Sequence, residues 1–204
     1  ITTLVPSTSW PASSMGTGVT MDIDNKTYVV SLLTKGLNAS LLLVDQAGNI
    51  VNTITVLPTA PGSGGDFVYD VVMDQNGDYL ALIAPGGGSG TGLVKITRSG
   101  FVATSILAGA PLVRPTGLVV DVETGDYIVL DGTTSAPRLW RINPSGTSYA
   151  TLATLPTQSY GWELTQLAAT GSYYVAGLAF SSRPGAGVLT VTQGGKVTTF
   201  IGST

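Results

Sequence analysis

The sequence predicts an all-β protein built from four similar units, and three observations carry that prediction. Asp, Glu, Lys and Arg make up only 10% of the 204 residues, against roughly a quarter in an average soluble domain, which leaves few charged residues for the wet faces of helices. Gly and Pro are abundant, with 27 and 11 residues, and suit tight turns between strands. A turn containing Gly48, Gly100, Gly146 or Gly194 recurs at intervals of 52, 46 and 48 residues.

Each unit carries the pattern of four short strands. In the third unit we predict strands at 116–122, 126–132, 137–143 and 148–155. The first hairpin of each unit turns on residues that tolerate positive φ angles, namely Asp24-Asn25, Asn76-Gly77, Thr124-Gly125 and Thr170-Gly171. The four units span residues 15–57, 66–108, 114–155 and 161–202.

Four antiparallel strands in a repeat of this length are typical of a β-propeller blade. Residues 71–73 and 117–120 are apolar at successive positions, as expected for strands that are covered on both faces. We therefore interpret residues 1–204 as a single β-propeller domain of four four-stranded antiparallel blades. A β-sandwich is the alternative, but it does not explain why the turns recur.

The third unit also carries a family resemblance. Pro115-Thr-Gly-Leu-Val-Val-Asp121, Gly125-Asp-Tyr-Ile-Val-Leu-Asp131 and Arg138-Leu-Trp-Arg-Ile142 resemble the repeat of NHL-type propellers. The second unit shares the repeat through residues 73–79 and 93–96, and the other two units match only in hydrophobic pattern and turns. The resemblance implies a propeller fold and little about function, because this fold carries lyases, lactonases and plain binding modules alike.

The two ends of the chain suggest how the blades are completed. Residues 1–5 resemble residues 197–201, the last strand of the fourth unit, so we interpret residues 1–7 as the outer strand of a preceding or neighbouring blade. Three arrangements remain open: a fragment of a larger propeller, a subunit whose ring another chain completes, and a closed ring of four blades. We expect the apolar end blades to bind a protein partner or a second copy, through Val19, Met21 and Ile23 at one end and Leu164, Leu167, Val188 and Val191 at the other.

Several classes of function are excluded by composition. The chain has no His and no Cys, which excludes Ser-His-Asp catalysis, cysteine nucleophiles, disulfides and thiolate zinc sites. A net charge of −3 without a basic cluster argues against nucleic acid as a partner, and no apolar run reaches the roughly 18–20 residues that span a bilayer. Few Lys and Glu with many Thr, Ser and Gly favour a location outside the cell, at its surface or in a periplasm.

The acidic hairpin turn of the second unit is the candidate metal site. Asp74, Asn76 and Asp78 place three oxygen ligands within five residues, and calcium prefers such oxygens in a flexible loop. The alternative is that these side chains accept hydrogen bonds from their own turn backbone, which needs no metal. Calcium is the one cofactor that the sequence suggests.

Aromatic residues in loops form the candidate ligand site. Trp10, Tyr160 and Trp162, together with Tyr173, have the rings needed to stack against a carbohydrate or a Pro-rich segment. The alternative is that they fill the gaps between blades.

Two classes of function follow. We favour a non-catalytic secreted or cell-surface module that binds or assembles, because no catalytic constellation is visible. The alternative is a metal-dependent propeller enzyme of the lactonase or lyase type. Such a lactonase needs a cage of carboxylate and amide ligands, and the predicted first strands contain no Asn.

Overall fold

A computed structural model describes residues 14–24, 26–34, 39–56, 66–85, 92–132, 137–156, 160–180 and 183–201. These residues form sixteen β-strands: β1 (Ser14–Met21), β2 (Thr27–Thr34), β3 (Ser40–Asp45), β4 (Ile50–Thr55), β5 (Asp66–Met73), β6 (Tyr79–Pro85), β7 (Gly92–Ile96), β8 (Ala103–Ala108), β9 (Pro115–Val120), β10 (Tyr127–Asp131), β11 (Arg138–Ile142), β12 (Tyr149–Thr154), β13 (Tyr160–Leu167), β14 (Ser172–Phe180), β15 (Arg183–Val191) and β16 (Val197–Ile201). No helix that could traverse a bilayer is found in this described part of the chain.

The chain divides into two compact units, Ile1–Gly109 and Ala110–Thr204. In the first unit, β1–β4 and β5–β8 each form an antiparallel group of four strands, and a single pair, Leu33 with Phe67, links the two groups. Apolar side chains from both groups meet in one buried cluster. Its members are Val29, Ala39, Leu41, Leu43, Ile54, Val56, Val68, Val71, Tyr79, Ala81, Ile83, Val94 and Ile96.

The second unit repeats this organisation. Strands β9–β12 form one antiparallel group and β13–β16 form the other. Their shared buried cluster contains Ile128, Leu130, Leu139, Ala153, Leu155, Leu164, Tyr173, Val175, Leu189 and Val191. Because strands inside each group are covered on both faces, their sequences are apolar at successive positions, as β10 shows with five buried residues in a row.

The predicted fold class is confirmed: the described chain is all-β, with four four-stranded antiparallel blades of a β-propeller. The hairpin turns follow the prediction at Gly48 and Gly146, whose φ angles are 87° and 71°. In the other two units the residue with positive φ comes one position later, at Phe101 (53°) and Gly195 (79°). A glycine in the turn is therefore a reliable sign of the hairpin, but it does not identify the residue that takes the left-handed conformation.

The first strand of every blade contains a β-bulge at the same place. The register shifts at Thr17, Tyr69, Thr116 and Trp162. In the first blade of each unit the residue after the bulge is a glycine, Gly18 or Gly117, and the following blade packs against it. A Cβ atom on Gly18 would lie 2.8 Å from Asp70 Oδ1, and one on Gly117 would lie 3.0 Å from the Leu164 Cβ. Within each unit, the first strands of the two blades thus approach too closely for a larger residue.

Candidate functional site

A buried carboxylate joins the two blades of the first unit. Asp22 directly follows β1 and is only 3% exposed. It accepts a hydrogen bond from the Tyr79 hydroxyl to Oδ2 at 2.5 Å and one from Arg98 Nε to Oδ1 at 2.8 Å. Tyr79 begins β6 and Arg98 follows β7, so both donors come from the second blade. The buried charge is therefore compensated by the neighbouring blade, as a charge in a low-dielectric interior requires.

The second unit has an equivalent junction around Asp121, which follows β9 and is fully buried. The Tyr173 hydroxyl donates to its Oδ2, and the Nε2 atoms of Gln193 and Gln166 donate to the same oxygen at 2.6 and 3.0 Å. Arg141 Nη2 in turn donates to Gln193 Oε1 at 2.5 Å. Donors from β13, from β14 and from the turn after β15 again surround a carboxylate of the preceding blade.

The two junctions shift the pKa values of Asp121, Tyr173 and Tyr79. Burial raises the pKa of Asp121, but the hydrogen bonds from Tyr173 and Gln193 outweigh it and hold that pKa well below its usual value. Burial, followed by the neighbouring carboxylate, raises the pKa of Tyr173 to about 12 and also raises the pKa of Tyr79. Near neutral pH the carboxylate of Asp121 stays charged and the two phenols stay neutral. The carboxylate and the two phenols join the blades within each unit.

The carboxylates of the candidate calcium site accept hydrogen bonds from their own turn and form ion pairs with a lysine. Asp74 Oδ1 accepts the backbone N–H groups of Asn76 and Asp78 at 2.8 and 2.9 Å. The Lys95 ammonium lies 2.7 Å from Asp74 Oδ2 and 3.1 Å from Asp78 Oδ2. Burial lowers the pKa of Lys95, but its bonds to these two carboxylates outweigh burial and raise it. A calcium ion between the carboxylates would have to displace a charged ammonium group.

Other acidic turns show the same backbone hydrogen bonds. Asp24 Oδ1 accepts from the N–H groups of Lys26 and Thr27, and Asp121 Oδ1 accepts from those of Glu123 and Thr124. Across the described ranges, no group of three or more acidic side chains is arranged to hold a metal ion. The structure therefore contains the backbone hydrogen bonds that were the alternative to a metal site in these acidic turns.

Of the aromatic residues in the candidate ligand site, the structure describes the side chain of Tyr173. Trp10 lies outside the described residues, while Tyr160 and Trp162 lie in β13, with Trp162 at the bulge of that strand. Tyr173 is fully buried and hydrogen-bonds to Asp121. The hypothesis that Tyr173 contributes to an open stacking surface is wrong, because its ring fills the junction between two blades.

An exposed apolar surface marks the first strand of the first blade. Val19 is 65% exposed, although the residues at the same place in the other three blades, Val71, Leu118 and Leu164, are all buried. Met21 and Ile23 are also exposed, as the sequence predicts for this end.

At the other end, the prediction needs a correction. Leu167 is exposed, but Leu164 and Val191 are buried in the cluster that joins the last two blades. The prediction placed Leu164 and Val191 on the wrong face of the last blade, because consecutive strand residues point to opposite faces and both faces are apolar here. Besides Leu167, the exposed apolar residues on this blade include Phe200 and Ile201, in β16.

Comparison with known proteins supports the fold and no finer assignment. No protein-family profile matches the sequence, and no curated protein matches it. Solved structures do match: a nidogen/laminin complex (15% identity, 93% of this chain and 66% of that chain, TM-score 0.68), a gluconolactonase from Xanthomonas campestris (12%, 92% and 62%, 0.69) and a putative gluconolactonase (16%, 92% and 63%, 0.67). The chain spans a little under two thirds of the length of these structures. At these identities the likeness establishes a β-propeller repeat fold alone.

Proposed function

We propose that this chain is a non-catalytic β-propeller module that binds or assembles through the apolar faces of its end blades. The observation that carries the proposal is the exposure of Val19, at a position that is buried in the other three blades. An apolar residue that belongs to the core of every other repeat, yet faces solvent in one, marks a surface built to be covered.

The contacts of Asp22, Asp74 and Asp121 support a non-catalytic role. Asp22 and Asp121 are bound by donors from a neighbouring blade, and Asp74 shares Lys95 with Asp78. A catalytic acid, base or metal ligand needs an oxygen that is accessible to a substrate or ion. The hydrogen bonds and ion pairs of these side chains instead join strands and blades.

The setting of the module is part of the proposal. Few charged residues and many turn formers suit a protein that works outside the cytoplasm, and a chain without Cys has no thiol to protect there. An NHL-type repeat is compatible with the residues of the third blade, and the nidogen/laminin complex shows that a structurally similar propeller takes part in a protein complex. Recovery of the intact protein solely from a cytosolic fraction would contradict this setting.

A metal-dependent lactonase is the second candidate, and the likeness to two gluconolactonase structures favours it. The acidic residues that the sequence offers for calcium are Asp74 and Asp78. Their carboxylates hold an ammonium group, so this candidate requires Lys95 to move away.

One experiment separates the two candidates. The purified chain is stripped of metal with a chelator, dialysed against calcium, and then tested for bound metal by elemental analysis and for hydrolysis of a panel of sugar lactones. We expect no stoichiometric metal and no calcium-dependent turnover. Bound calcium with turnover that the Asp74→Asn variant loses would establish the lactonase and overturn the non-catalytic module.

A further inference from the structure

We infer that the partner of the end faces is a second copy of this chain, bound head to tail. The last blade (β13–β16) of one copy packs against the first blade (β1–β4) of the next. This inference rests on the proposed function, because it names the partner of the same faces. It follows from comparing equivalent positions in the four blades.

The following face of a blade is defined here by the side chains that pack against the next blade. In the first blade these include Val29, Leu41 and Ile54, which lie in the cluster that joins it to the second blade. In the third blade the residues at the same register positions, Ile128, Leu139 and Ala153, are buried in the same way. Each internal junction within a unit thus covers a complete following face.

The last blade has the same face without the cover. The equivalent residues are Tyr174, Val188 and Ile201, of which the first two are only partly buried and Ile201 is 58% exposed. Phe200 packs edge-on against Tyr174, with ring centroids 5.3 Å apart, and is itself exposed. The face therefore presents two aromatic rings and two branched aliphatic side chains to solvent, the composition found at the centre of protein interfaces.

The first blade offers the complementary surface. The preceding face of a blade is defined by the residues that meet the previous blade, such as Val71 and Tyr79 in the second blade and Leu164 and Tyr173 in the fourth. The equivalent residues of the first blade are Val19, which is mostly exposed, and Tyr28, which is only partly buried. The preceding face of the first blade thus carries apolar side chains at the positions that, in the second and fourth blades, pack against the following face of the blade before them.

The occupant is inferred from this continuity with the internal junctions. Within each unit a following face joins the preceding face of the next blade. In the described residues, side chains of the preceding face of the first blade and of the following face of the last blade are exposed or only partly buried. A second copy supplies the missing face with the same strand spacing and the same type of side chains. Such a contact is heterologous, so it closes a ring or continues as a fibre. Two copies supply eight blades, the upper end of the usual propeller range of about four to eight.

The contact differs from the internal junctions in one respect. Gln166 pairs with Tyr173, and Leu167 is the next residue in the chain. Leu167 is therefore equivalent to Asp22 and Asp121, the carboxylates of the first blade in each unit. No carboxylate is present at this position to accept a hydrogen bond from Tyr28 of the neighbouring copy. The association is therefore apolar, and we expect it to persist at high salt.

The test measures mass in solution by sedimentation equilibrium and light scattering over a range of concentrations. Wild type is compared with Val19→Asp and Ile201→Asp, each of which places a carboxylate on one proposed face. Val102→Asp is the matched control, because Val102 is 61% exposed and lies in the turn between β7 and β8. Because a carboxylate that is buried without a partner is strongly unfavourable, we expect each face variant to weaken association roughly a hundredfold or more and the control to behave as wild type.

A mixture of the two face variants identifies the geometry. Val19→Asp retains an intact last blade and Ile201→Asp retains an intact first blade, so we expect the mixture to form a heterodimer through one unaltered contact. Association lost in only one of the two variants would overturn the head-to-tail contact, as would association that neither variant weakens. A wild-type chain that is monomeric at every concentration would also overturn it, with the face left to another protein or to further residues of the same polypeptide. That outcome leaves the non-catalytic module standing, because its own test is the lactone and metal assay.

Discussion

Tyr79 donates its phenolic hydrogen bond to Asp22, 57 residues earlier in the chain, and Tyr173 does the same to Asp121, 52 residues earlier. In both cases the carboxylate follows the first strand of one blade and the tyrosine lies near the start of the second strand of the next. Gly18 and Gly117 mark equally close approaches at the same two junctions. The same pair of contacts therefore occurs in each of the two units.

The hydroxyl groups at the two junctions are expected to contribute directly to stability. Replacing Tyr79 or Tyr173 by Phe removes a donor from a buried carboxylate while keeping the ring. We expect each variant to lose about 1–3 kcal/mol of unfolding free energy, because a buried charged acceptor is left short of a partner. Urea denaturation measures this loss.

Tyr149→Phe is the control for both variants, because the Tyr149 ring is exposed on β12. We expect its unfolding free energy to stay within about 0.5 kcal/mol of wild type, as for most surface substitutions. Equal losses in all three variants would show that the hydroxyls of Tyr79 and Tyr173 have no special role at the junctions.

Alkaline pH should weaken the same junctions. The pKa of Tyr173 is raised from 10.0 to about 12 in the folded chain, and that of Tyr79 is raised in the same direction. Because the folded state holds these protons more tightly, their contribution is fully present below pH 10 and is lost as pH rises toward the folded pKa values. We expect the urea midpoint of wild type to fall above pH 10.

The double variant with Phe at both positions tests the origin of this loss. It lacks the two phenols, so its midpoint should fall less steeply than that of wild type between pH 10 and pH 12. Parallel curves for the two proteins would assign the alkaline loss to other groups.

The fold was predictable from sequence to a much greater extent than the junctions. Recurring turns around Gly48 and Gly146, together with successive apolar residues, are local signals, and they led to four blades of four strands. The Asp–Tyr junctions join residues more than fifty positions apart, so their partners become visible only when blades are packed. A signal did exist in the sequence: Tyr28, Tyr79, Tyr127 and Tyr173 occupy the same place in all four units.

The exposed end faces were predictable only in part. Val19 and Met21 were identified correctly, whereas Leu164 and Val191 were placed on the wrong face of the last blade. In a strand that is apolar on both faces, hydropathy does not show which face meets a neighbour. The bulge at Trp162 also shifts the strand register by one residue, so the alternation of faces along β13 cannot be followed through it from sequence.

The close approach at Gly117 predicts a strong effect of a single methyl group. A Cβ atom there would lie 3.0 Å from the Leu164 Cβ and 3.1 Å from the Leu164 backbone nitrogen, and neither atom moves without the strand. We expect Gly117→Ala to lose about 1–3 kcal/mol of unfolding free energy, the usual range for overpacking. Thermal and urea unfolding provide the measurement.

Gly18→Ala and Gly100→Ala are the comparison variants for Gly117→Ala. The Cβ at Gly18 would meet the movable Asp70 carboxylate first, so a smaller loss is expected than at Gly117. At Gly100 the nearest atoms would be 3.6 Å or more away, at ordinary contact distance. We expect that variant to be neutral or slightly stabilised, because alanine restricts the unfolded chain. A loss at Gly100 as large as at Gly117 would contradict the steric explanation.

Lys95 decides whether the acidic turn of the second blade binds calcium. Its ammonium lies between Asp74 Oδ2 and Asp78 Oδ2, at 2.7 and 3.1 Å, and thus supplies the positive charge that an ion would otherwise supply. We expect millimolar calcium to leave the unfolding midpoint of wild type unchanged. Lys95→Met keeps most of the length of the side chain and removes the charge. We expect this variant to be destabilised and then to regain stability when calcium is added, since an ion bound only by the folded chain stabilises it.

The control is the double variant Lys95→Met with Asp78→Asn, which has one carboxylate fewer and should respond to calcium much less. Sodium chloride at matched ionic strength separates specific binding from screening of the two acids. Calcium that binds wild type stoichiometrically and raises its midpoint would contradict the expectation. It would mean that the ion displaces the Lys95 ammonium, and it would make Asp74, Asn76 and Asp78 a native calcium site.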